Sequence, residues 1–233
     1  MKIKSKEFIA LSACTMMLTA LGIDIMLPVF GELRLYFGLK PESTATANIV
    51  GFFFIGQIAQ LVFGLLSDRF GRLRILWTGF PLYIIGGIAA AFAPSLNIMY
   101  AARFVAGMGA SAVFSTTVAS VRDRFVGDQM AHIMSLIFTI FLFTPVVAPF
   151  LGAGILSISS WRMVFLTPPL FAVLIFFWSL RLEESLPREK RVLINWMNIR
   201  QSIFKIMTNL TFLRYTGITT VLFAAFSSYI GQF

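Results

Sequence analysis

The 233-residue chain is 58% hydrophobic and only 12% charged. That is about half the charge of a soluble domain, which excludes the soluble globular class. A formal charge of +9 raises nucleic acid as a partner, but the basic residues fall between apolar runs, so that reading is excluded as well. A lone Cys14 and a lone His132 allow no intrachain disulfide and no multi-histidine metal site, and no metal or cofactor is expected.

A membrane helix needs about 20 mostly apolar residues. The first 22 residues start with Lys2, Lys4 and Lys6 and lead into an apolar run that no clear cleavage site ends. They are read as an uncleaved first span and not as a removed leader. Spans are predicted at 8–30, 45–66, 74–93, 96–120, 130–157, 162–180 and 211–233. Residues 1–180 then form a six-helix bundle, 181–210 a cytoplasmic linker, and 211–233 the start of a seventh helix. Within the linker, 192–207 reads either as an amphipathic surface helix or as a solvated tether.

With the N-terminus inside, the inner loops hold fifteen Lys and Arg residues and the outer loops only Arg34, Lys40 and Arg162. This bias predicts a cytoplasmic N-terminus and an attraction to anionic lipid.

In chain order, span one contains Asp24, the one acid well inside a span, with Pro28 four residues later. Proline has no N–H to offer the carbonyl of residue 24, so a disrupted helix beside a cavity is expected there. Span two carries Gln57 and Gln60, three apart, which either line that cavity or glue helices together. Gly56 and Gly64 in span two, and Gly107, Ser111 and Ser115 in span four, are read as packing positions. Span four also contains Arg103, the one cation well inside a span. By helical rise, Asp24 and Arg103 sit at similar depth, roughly 10 Å below the outer surface. They are expected to pair, either in a working relay or in a salt bridge that only fixes register. In span five, Pro145 and Pro149, followed by Gly152 and Gly154, imply a bend that is either a gate or shape alone.

The inner loop from Gly64 to Leu76 reads GLLSDRFGRLRIL. Gly71 permits its turn, and Asp68 is placed to cap a helix or pair with an arginine. The loop resembles the signature between the second and third helices of the major facilitator superfamily. Gly64, Leu66, Asp68, Arg69, Gly71, Arg72 and Leu76 match in register, with Ser67 in place of alanine and Leu73 in place of lysine. RFVAGMGASA, with Arg103, Gly107 and Gly109, resembles the fourth-helix motif of drug:proton antiporters. APFLGAG, with Pro149 and Gly152, resembles their fifth-helix motif, although Ala148 and Ala153 stand where glycine is usual. IDIMLP, SVRDRF and SWRMVF resemble the Bcr/CflA-type bacterial multidrug-resistance transporters.

The resemblance implies a proton-driven drug exporter of the bacterial inner membrane, working by alternating access between two six-helix bundles. It implies proton and substrate coupling at Asp24 and Arg103, a hinge at Pro149 and Gly152, and a cytoplasmic latch at Asp68 and Arg72. The expected partners are the bilayer, protons, a small-molecule drug and a second six-helix bundle. The chain reads as one half of such a transporter, inactive alone. The rival readings are a seven-span receptor, a half-bundle with an assembly role, and a membrane-embedded enzyme, for which the spans offer too few catalytic groups.

Overall fold

A computed structural model describes residues 4–40, 43–192 and 208–230. The chain divides into two compact units, Met1–Arg191 and Val192–Phe233. The first contains six helical segments long and apolar enough to cross a membrane. Two of these segments are broken. Span one consists of α1 (Ser5–Asp24), a 3-10 turn (Leu27–Val29) and α2 (Phe30–Tyr36). Span two consists of a 3-10 turn (Thr44–Thr46), α3 (Ala47–Gln57) and α4 (Gln60–Phe70). Spans three to six are single helices: α5 (Arg72–Ala91), α6 (Leu96–Arg124), α7 (Gly127–Ile158) and α8 (Trp161–Ser179). The second half of span one therefore runs six residues beyond the predicted end at residue 30.

The break in span one follows from Pro28, which occupies the first turn of the 3-10 segment and cannot donate back to Asp24. The break in span two has no proline. At Ile58 and Ala59 the amides bond three residues back, to the carbonyls of Ile55 and Gly56, tightening the helix by one turn. Span five stays helical through Pro145 and Pro149.

Helix α6 is the centre of the unit, and paired glycines bring its neighbours close. A Cβ on Gly107 would meet the Phe53 carbonyl and lie 3.2 Å from Cα of Gly56, both in α3. On the other side, a Cβ on Gly109 would meet the backbone of Tyr83 and lie 2.7 Å from the Gly79 carbonyl, both in α5. The hydroxyls of Ser111, Ser115, Thr116, Thr117 and Ser120 bond carbonyls of α6 itself. Their polarity is thus spent within the helix.

The second unit contains α9 (Leu210–Ile230), at the predicted seventh helix. Residues 193–207, on which most of the surface-helix or tether reading rests, and residues 231–233 lie outside the described residues.

Candidate coupling site at the break in the first span

Asp24 is the last residue of α1 and is half-buried. Helix ends leave their last four carbonyls without intrahelical donors. One of these belongs to Gly22, and Arg103 of α6 reaches it: Nη2 donates to the Gly22 carbonyl at 2.6 Å. The guanidinium lies 4.3 Å from the centre of the Phe53 ring, and Arg103 is only 3% exposed.

The predicted ion pair between Asp24 and Arg103 is not formed; the guanidinium instead bonds a backbone carbonyl and lies over a ring, with its Nε buried and without a partner. The magnitudes permit this. Insertion scales put arginine at the bilayer centre at about 2.5–3.5 kcal/mol. A charged hydrogen bond returns about 1.5–3 kcal/mol and a desolvated cation–π contact about 2 kcal/mol. The guanidinium also sits at the negative pole of α1, where cations are favoured. Asp24, at that same pole, makes no ion pair among the described residues.

The hinge motif meets this break directly. A Cβ on Gly152 of α7 would strike the Ile25 carbonyl and come 3.1 Å from the Pro28 ring. Span five therefore lies backbone to backbone against the disrupted turn of span one. Pro149 and Pro145 are half-buried one and two turns earlier, while Gly154 faces open space. Gln57 ends α3 with its amide nitrogen buried and unpartnered. Gln60, beyond the break, is exposed, so the two glutamines differ in environment.

At the end of the bundle that carries the N-terminus the loop signature forms a network. Arg72 is buried and donates to Asp68 Oδ1 at 2.5 Å, to Asp123 Oδ2 at 2.9 Å and to Ser67 Oγ at 2.7 Å. Glu184 accepts from the backbone N–H groups of Arg72 at 2.9 Å and Leu73 at 3.3 Å, capping α5 from 112 residues away. Gly71 adopts φ +102°, and a Cβ there would collide with Glu184 and Arg191. Arg69 is exposed, with its guanidinium over the Phe70 ring, and Gly64 has no neighbour within 4 Å of a Cβ position. Further stitches join Arg181 to Glu7 at 2.6 Å and Arg124 to the Glu183 carbonyl at 2.5 Å. Residues 181–191 thus hold to the bundle. Asp123 and Glu184 went unassigned in the sequence reading. SVRDRF drew attention to the first; nothing local marked the second.

A six-span, all-helical membrane bundle, with a buried cation on a broken first span and a charged network at one end, is the class these features define. The chain belongs to the Major Facilitator Superfamily, whose family model matches residues 12–233. It is 34% identical over 196 residues to the MFS-type transporter YdgK of Bacillus subtilis, covering 80% of this chain and 48% of the relative. It is 31% identical over 183 residues to a bicyclomycin resistance protein homolog of Haemophilus influenzae, covering 76% and 44%. Among solved structures, a D-xylose-proton symporter superposes with a TM-score of 0.66 at 16% identity, covering 89% of this chain and 54% of that one. The chain thus spans about half the length of the relatives it matches. Family membership gives the seven-span receptor reading no support.

Proposed function

We propose that the chain is the N-terminal half of a proton-coupled drug exporter of a bacterial inner membrane, with its N-terminus in the cytoplasm. The resistance protein named among its relatives supports the substrate class. The observation that carries the mechanism is Arg103 bonded to the Gly22 carbonyl, two residues from Asp24 at the break. In this mechanism the guanidinium trades the carbonyl it uses for the carboxylate of Asp24, two residues further along the same chain. When Arg103 holds the carbonyl, Asp24 is left to exchange a proton with water or to meet a cationic drug. When the guanidinium moves to the carboxylate, it favours the ionised form and the proton leaves. The Gly152 contact ties each state of the break to span five. A second six-helix bundle completes the pathway, and the Asp68–Arg72 loop acts as the latch between the halves. Alternating access then converts proton entry into drug exit.

The test is Asp24→Asn in the transporter that contains this half, reconstituted in lipid vesicles. Drug binding becomes independent of pH and proton-driven export stops. Export that still tracks the proton gradient in that variant overturns the reading.

A further inference from the structure

We propose that Tyr83 is a positioning residue that fixes the rotation of α1 beneath Arg103, and so sets the proton affinity of Asp24. The inference rests on reading Asp24 as the proton site. Tyr83, on α5, is buried, and its hydroxyl donates to the Leu18 carbonyl at 2.7 Å. Leu18 lies one helical turn before Gly22 on the same face of α1. Two side chains from two helices therefore hold carbonyls one turn apart on one helix. The two donors move as one body, because α5 and α6 are locked backbone to backbone: a Cβ on Gly86 would come 2.8 Å from the Ala102 carbonyl, and Gly109 fits against Tyr83 itself.

Gly22 is where the parts meet. A Cβ there would lie 2.6 Å from the Tyr83 oxygen and 3.3 Å from the Phe53 ring, the ring that carries the Arg103 guanidinium. Tyr83 and Arg103 also line one small cavity with Ile25 and Met26 of the break, and Arg103 Nε is buried without a partner. Packing against α7 holds the break at Ile25, and the bond at Gly22 holds the last turn of α1 to α6. The second bond, at Leu18, adds a hold one turn earlier on the same face, and so sets the rotation of the helix end that carries Asp24.

Other titratable groups do not compete. Among the helices packed on α1, α7 contributes only Asp128 and His132 in its first two turns, at the inner end. Helix α8 contributes Arg162, which is stacked on Tyr36 and Trp161. Helix α3 carries none, and apart from Arg103 and Tyr100 the charged groups of α6 are in its last turn. The hydroxyl of Tyr100 is held by the Ala45 carbonyl. On α5, Arg72 and Arg74 sit in the first turn. On span one itself, Glu7 is bound to Arg181, Cys14 lies more than two turns before Asp24, and Glu32 and Arg34 of α2 lie eight and ten residues beyond it, past the break.

The experiment is an infrared titration of the Asp24 carboxyl C=O band in the full chain in lipid, with the band assigned by its loss in Asp24→Asn. It uses neither drug nor transport, so this inference and the export reading fail separately. Tyr83→Phe removes one hydroxyl and keeps the ring. It should displace the midpoint by about half a unit or more, a roughly threefold change in proton affinity. Gly22→Ala, which pushes the Tyr83 hydroxyl aside, should displace it too and decides the matter where Tyr83→Phe does not fold. A midpoint equal to that of the unsubstituted chain in both variants overturns the proposal, as does a band that never titrates. A transporter that exports drug without protons, while Tyr83→Phe still moves the band, sinks the export reading alone.

Discussion

Spacing alone groups Gly56, Gly64 and Gly107 together as small packing residues, but the structure separates them by what a methyl group would touch. At Gly56 and Gly107 it would strike the backbone of the facing helix, and at Gly64 it would enter open space. Backbone cannot yield as a flexible side chain can, so overpacking there costs about 1–3 kcal/mol. We expect Gly107→Ala to lower the unfolding free energy of the bundle in lipid micelles by that amount, and Gly64→Ala to leave it unchanged. Equal losses at both positions would contradict a backbone-limited contact between α3 and α6. The match of Gly64 to the loop signature then reflects something other than the packing of this unit. The same residue-level distinction explains why the partner of Arg103 was illegible. A depth match between one acid and one cation is visible in sequence, but a backbone carbonyl carries no side-chain signal, and Arg103 chose the carbonyl of Gly22.

At the level of elements, all six spans were legible, because each needs an apolar run that hydropathy detects directly. The break in span one was legible too, through Pro28. The break in span two was not. Ile58 and Ala59 are ordinary helix formers, so nothing in the local composition marks the tightened turn. The start of α5 shows the same limit. Gly71 offers no capping side chain, and its cap, Glu184, arrives from the end of span six. Loss of such an acceptor costs a helix start about 1 kcal/mol, or a fivefold change in local opening. Glu184→Ala should therefore speed amide hydrogen exchange at Arg72 and Leu73 about fivefold. Exchange deep in α5 should not change. Unaltered exchange at those two amides would show that α5 is capped by other means.

For the whole molecule, the two ends of the first unit differ in kind. One end gathers the Arg72 network, the Arg181–Glu7 pair and the Arg124 contact. The other gathers the Tyr36, Trp161 and Arg162 stack. Membrane insertion responds to Lys and Arg near span ends and hardly at all to acids. The acids paired with Arg72 and Arg181 therefore do not cancel the orienting effect of the fifteen-to-three bias. Folding and orientation nevertheless use different arginines. Arg72 is buried and committed to the network, whereas Arg69, Arg74 and Arg122 are exposed at the same end. Alkaline phosphatase, active only after export, should be active when fused after Lys40 and inactive when fused after Val126. A fluorescent protein that matures only in the cytoplasm should give the opposite pattern. Arg69, Arg74 and Arg122 changed together to Gln should weaken that contrast while the bundle stays folded, because none of the three is buried in its core. Arg72→Gln alone should do the reverse, destabilising the end that holds the Arg72 network with the orientation kept. A phosphatase signal from the Val126 fusion of the unsubstituted chain would turn the molecule over in the membrane and place the loop network outside.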